Sequence, residues 1–202
     1  MGLDMCINRK VRRYLKNDGT FSDNCEDYKT DEFGCSNAVW TESEVAYWRK
    51  ANAIHKWFVD NVQDGKDDCR EYDVDLDNLE ELRGTCVRLL TEMKGKVLKV
   101  RDEDMENFRK YRTEGQPAEI AIDPGNLDAI DNATSFHKLP DDEVPPEILP
   151  TTKGLFFGET EYDGVYFWNI AKTIKMIDRI FEQDKELSKD GVSAFYTYRA
   201  SW

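Results

Sequence analysis

The chain reads as an α+β domain: a small mixed sheet formed by N- and C-terminal strands, packed with two or three long helices. Three observations predict it. Apolar and polar residues alternate at the start, three later segments carry apolar residues at helical spacing, and an aromatic, β-prone run closes the chain. One domain over residues 1–202 is expected.

Leu3, Met5 and Ile7 alternate with Asp4, Cys6 and Asn8, which predicts a first strand with one face inward. Asn17 to Ser36 is rich in Asn, Asp, Gly and Ser and reads as a loop. Thr41-Glu-Ser-Glu44 has the form of a capping box, so a helix is expected from Thr41 to about Asn61, ending before Asp64-Gly65. On that helix Tyr47, Ala51, Ile54, Phe58 and Val62 share a face with Trp48 and Val59. A second helix starts at Asp75 or Asp77 and buries Leu79, Leu82, Cys86, Leu89 and Met93. A short helix is expected around Asp102–Arg112.

All six prolines lie between Thr113 and Pro150, among many acidic residues. The stretch of about 113–150 therefore reads as a surface excursion rather than a separate domain. Gly154-Leu-Phe-Phe-Gly158 reads as a short buried strand. Asp163 caps a third long helix with Tyr166, Ile170, Ile174, Ile177 and Phe181 inward. Asp190-Gly191 makes a turn and Val192–Tyr198 a closing strand. The tripeptide Glu-Tyr-Asp occurs at Glu71–Asp73 and Glu161–Asp163, each time before a predicted helix, where acidic side chains favour the helix start.

Composition narrows the function classes. No run approaches the ~20 apolar residues that span a bilayer, and the N-terminus lacks a signal-peptide core, so a cytoplasmic protein is expected. Cys6 at the position where myristoylation favours Ser or Thr weakens that reading of Gly2. Five cysteines with no C-x-x-C pair, and His55 and His137 as the only histidines, give neither a disulfide framework nor a zinc spacing. No metal or other cofactor is expected. A net charge of −13 disfavours duplex nucleic acid as a partner. Arg9, Lys10, Arg12, Arg13 and Lys16 form a local basic cluster, which reads first as a solvated hairpin and second as a phosphate-facing patch.

Catalytic motifs are missing from the linear sequence: there is no G-x-S-x-G, H-E-x-x-H or Walker loop. Asp73, Asp75 and Asp77 alternate, a pattern that suits helix capping better than cation binding. The candidate ligand wall is the edge formed by Trp48, Arg49, Asn52, His55 and Lys56, where apolar and cationic character meet. Indole stacks on bases and guanidinium grips phosphate. The competing reading makes His55 a core histidine with its nitrogens satisfied internally. Thr152, Lys153, Thr160 and Tyr162 are polar groups at the ends of the glycine-flanked strand, positions that suit a pocket lining or ordinary turn chemistry equally. Thr160 and Tyr162 are expected to close the site from the other side.

The start Met-Gly-Leu-Asp-Met, the block from Tyr47 to Phe58, the segment Asp68–Tyr72, Leu149-Pro-Thr151 with Gly154–Asp163, and the ending Ala200-Ser-Trp202 resemble a family of small bacteriophage and bacterial proteins without an established activity. The resemblance covers both ends and the segment from Tyr47 to Phe58, and omits the proline-rich excursion. It implies a phage accessory role, such as action against host defence from within the host cytoplasm. The leading expectation is then a non-enzymatic sponge for a small anionic, nucleotide-like signal. The alternative is an acidic inhibitor that blocks a basic, nucleic-acid-binding surface of a host defence protein; an enzyme acting on a nucleotide ranks third. Assembly into a homo-oligomer is left open.

Overall fold

The computed structural model describes residues 2–140, 143–153 and 161–202. Its strands are β1 (Asp4–Leu15), β2 (Phe21–Ser22), β3 (Ala38–Arg49), β4 (Glu71–Val74), β5 (Val97–Val100), β6 (Glu119–Ala121), β7 (His137–Lys138) and β8 (Ala194–Ser201). Its α-helices are α1 (Asn52–Asn61), α2 (Leu76–Glu92), α3 (Met105–Tyr111), α4 (Leu127–Ile130) and α5 (Gly164–Lys189).

The alternation that begins at Leu3 continues far beyond Ile7, making β1 the central strand of the larger sheet. It pairs with β3 along one edge and with β8 along the other, with Met5 opposite both Trp48 and Ala200. β4 extends the sheet beyond β8, and β2 joins the far end of β1. The α+β class holds, and the two chain ends share a sheet as expected. That sheet is antiparallel at every described pairing rather than mixed. Its neighbours are joined by hairpins and returning helices, and none needs the same-direction crossover of a parallel pair.

The largest correction falls on residues 41–51. Thr41 to Arg49 is strand, and helix begins only at Asn52. Val39, Trp40, Thr41, Val45, Tyr47 and Trp48 are β-branched or aromatic, the types that fit a pleated surface. A bulge between the Ile7/Ala46 and Asn8/Glu44 pairs inserts Val45 and breaks the period of two that would have betrayed the strand. Arg9, Lys10, Arg12 and Arg13 of the basic cluster also lie in β1, with Lys16 just past its end, and Lys10 stands opposite Glu42 in the register. Lys10 pairs with Glu71, Arg13 with Asp23 and Lys16 with Asp27. The cluster is therefore largely charge-matched within the chain.

The remaining helices follow their sequence signals. Asp75 caps α2 by accepting from the Asn78 amide, and Leu79, Leu82, Cys86 and Leu89 are fully enclosed. Asp163 caps α5 by accepting from the Tyr166 amide at 2.8 Å. Gly191, at φ 72°, ends it in a left-handed turn closed by Val192 N–H donating to Leu187 O. The apolar faces of α1, α2 and α5 meet Met5, Ile7, Trp48 and Tyr198 of the sheet in one core.

The 113–150 stretch differs from its expected surface position. It supplies β6, α4 and β7, and it sends Ile120, Ile122, Ile130, Leu139, Val144 and Leu149 into the same core. β5 pairs with β6 and β7 in a second, three-stranded antiparallel sheet. Single apolar residues spaced between prolines carry this packing, so no periodic pattern announces it. The strand expected at Gly154–Gly158 lies outside the described residues.

Candidate functional site

The strand-to-helix change at Arg49–Asn52 redistributes the expected ligand wall. Trp48 has no exposed surface; its Nε1 donates to Thr173 Oγ1 at 2.8 Å and its ring packs edge-on against Phe58. Arg49 points to solvent near Asp4, with the ion pair at 3.9 Å. Lys56 is exposed and pairs with Asp60 one turn along α1. Of the five, Asn52 alone lines a described cavity.

His55 follows the core reading. It is buried, with Nδ1 at 2.7 Å from the Tyr198 hydroxyl and Nε2 at 2.9 Å from Asp67. Phe58 stacks on the Tyr198 ring, with centroids 3.9 Å apart. Enclosure raises the Tyr198 phenol well above its ordinary value, so it remains a neutral hydrogen-bonding group. The network ties α1 to the last strand.

Tyr162 is also buried, edge-on to Tyr166. Thr160 lies outside the described residues. The helical wheel on which the wall was drawn does not extend over 41–51, so the five residues do not form one edge.

A half-enclosed cavity of about 400 Å³ opens beside Asn52, where the N-termini of α1 and α5 converge. Ala51, Ala53, Ile54, Val165, Ile170 and the Tyr166 ring form its apolar walls. Polar groups come from Lys50, Asn52, Ser135, Thr151, Thr152, Glu161, Asp163 and Asn169. A few polar groups set in an apolar hollow are the usual make-up of a small-molecule site.

Local sequence explains how the cavity is held. Lys50 turns the chain at φ 58°, a left-handed conformation unusual for a lysine, while its amide donates to Leu3 O. That corner aims α1 inward immediately after β3. Across the cavity, Gly164 allows α5 to approach the 133–135 segment: a Cβ there would lie 2.3 Å from Thr134 O. The Tyr166 hydroxyl donates to Leu149 O at 2.5 Å and fixes the ring. Enclosure raises that phenol too, well above its ordinary value.

Both cavity carboxylates are engaged. Asp163 caps α5, and Glu161 pairs with Lys138, which holds its carboxyl below the ordinary value. Thr152 was among the polar groups that the sequence placed beside a pocket. Lys50, Ser135 and Asn169 were not singled out. Asn169 had a signal: it is a polar residue on the buried stripe of α5, one position before Ile170.

No protein-family model, curated protein or solved structure matches the chain. Among the described residues, no helix is long and apolar enough to cross a membrane, and no group of three or more His, Cys, Asp or Glu side chains is arranged to hold a metal ion.

Proposed function

We propose that the chain is a non-enzymatic binder that sequesters a small anionic, nucleotide-like ligand in the cavity between α1 and α5. One observation carries the reading: an apolar hollow of about 400 Å³ is bordered by two helix N-termini, hydroxyls, carboxamides and a lysine. Helix N-termini concentrate N–H donors and partial positive charge, which favours an anion. The apolar walls and the Tyr166 ring suit a planar group. Asp163 accepts from Tyr166 N–H and Glu161 is paired with Lys138, so each cavity carboxylate has a partner within the chain.

The net charge of −13 favours a second reading, an acidic inhibitor of a basic host surface. A thermal-shift panel of mono-, di- and cyclic oligonucleotides distinguishes the two. A ligand held at 100 times its Kd raises folding stability by about 2.7 kcal/mol through linkage, so the sponge reading expects a clear rise in Tm with at least one nucleotide. Silence across the panel, combined with a salt-sensitive basic partner from host lysate, would replace it with the inhibitor reading.

A further inference from the structure

We infer that the ligand is a phosphomonoester, with its phosphate seated on the open N-terminus of α1 and held from α5 by the Asn169 carboxamide. This rests on reading the cavity as a small-ligand site, and two separate observations meet in it.

The first is the end of α1. Its N-cap is Ala51, which has no side chain to cap with. No hydrogen bond among the described residues reaches the backbone N–H of Ala53 or Ile54, although both residues are buried and both line the cavity. The first amides of a helix have no partner within it and carry its positive pole. The neighbouring end of α5 is closed by Asp163, so α1 provides the open pole.

The second is Asn169. It is only 5% exposed, it lines the same cavity, and its Oδ1 is buried without a hydrogen-bond partner. Interior carboxamides are ordinarily paired. The Nδ2 end of the same group carries two N–H donors, from which a phosphate oxygen can accept. Ala53 and Ile54 of α1 and Asn169 of α5 line the same cavity from two helices.

An anion here sits beside Glu161 and Asp163, but the first is matched by Lys138 and the second by the amides of α5. The volume of about 400 Å³ lies toward the small end of the ~300–1,000 Å³ range of small-molecule pockets. It suits one ring and one phosphate better than a cyclic oligonucleotide.

The test titrates the full chain with adenosine 5′-monophosphate, adenosine and inorganic phosphate, by calorimetry and melting, and repeats the series with Asn169→Asp. The monophosphate should bind, inorganic phosphate should compete with it, and adenosine should be at least about tenfold weaker, as loss of charge-assisted bonds implies. Asn169→Asp keeps the shape and places a negative charge at the subsite, so it should abolish the phosphate-dependent part. If that variant melts early, Asn169→Ser, which shortens the side chain, should weaken the monophosphate and leave adenosine unchanged. Adenosine binding as tightly as its monophosphate, or undiminished phosphate binding by a folded Asn169→Asp, would overturn the subsite while leaving a nucleotide sponge standing. Competition by phosphate with no nucleotide bound more tightly would support the subsite and reject the sponge. No binding by any of the three probes would reject the subsite, while the wider oligonucleotide panel would still decide the sponge.

Discussion

His137 is wholly enclosed, with Nε2 at 2.9 Å from Pro117 O and Nδ1 at 3.1 Å from the Thr134 amide. The neutral ring fits both partners, donating from Nε2 to the carbonyl and accepting at Nδ1 from the amide. Burial pushes its pKa below the ordinary 6.5, outweighing the carbonyl bond that favours the charged form. A proton added at Nδ1 would meet the Thr134 N–H donor. The linkage sign follows: with the folded pKa depressed, the contribution is complete above the unfolded value near 6.5 and is lost as pH falls through the folded one. Stability should therefore decline on acidification below about pH 6.5, before most carboxylates titrate. Replacing His137 with Gln should flatten that part of a Tm-against-pH profile. An unchanged slope would place the acid sensitivity elsewhere.

At the scale of elements, the close packing of α5 against the 133–135 segment shapes the cavity. Gly164→Ala would bring a methyl group to 2.3 Å from Thr134 O and 2.8 Å from Thr134 N, both backbone atoms that cannot rotate away. Overpacking of this kind costs about 1–3 kcal/mol, readable as a lower midpoint in urea unfolding. Displacing Thr134 also displaces Ser135, so ligand affinity should fall with stability. A variant as stable as the parent would show that the segment yields easily.

The same scale explains what could be read in advance. α2 and α5 were legible because Asp75 and Asp163 cap them and their apolar residues recur at helical spacing without interruption. β1 was legible by alternation. β3 was not, since the Val45 bulge disrupts its period and Thr41-x-x-Glu44 imitates a cap. A cap motif also needs the chain after it to be helical, and that depends on pairing with a strand some thirty residues earlier. For the cavity, Asn52 and the surroundings of Thr152 and Tyr162 were readable. Asn169 stands out locally as a polar residue on an apolar stripe, but its place in the cavity depends on the start of α5 meeting the start of α1, which no local pattern records.

For the molecule as a whole, the two chain ends lie at the centre of the larger sheet. Ile7 faces Tyr198 and Met5 faces Ala200, and all four are buried. Amides of β1 and β8 should therefore exchange with solvent among the slowest in the protein, at close to the global unfolding free energy. Hydrogen exchange read residue by residue checks this. Fast exchange at both ends would detach them from the core.

The pairing of β1 with β8 also governs the order of assembly. Nearly the whole described chain separates Asp4 from its neighbour Ser201, so this contact closes the largest loop in the fold. During synthesis β1 can form its hairpin with β3 early, yet its other edge waits until residues 194–201 have left the ribosome. For that interval it presents an unpaired strand edge, of the kind that adds to other chains. High contact order makes the last step slow relative to helix formation. The His55–Tyr198 bond, formed only when β8 docks, closes the core at the end of that sequence.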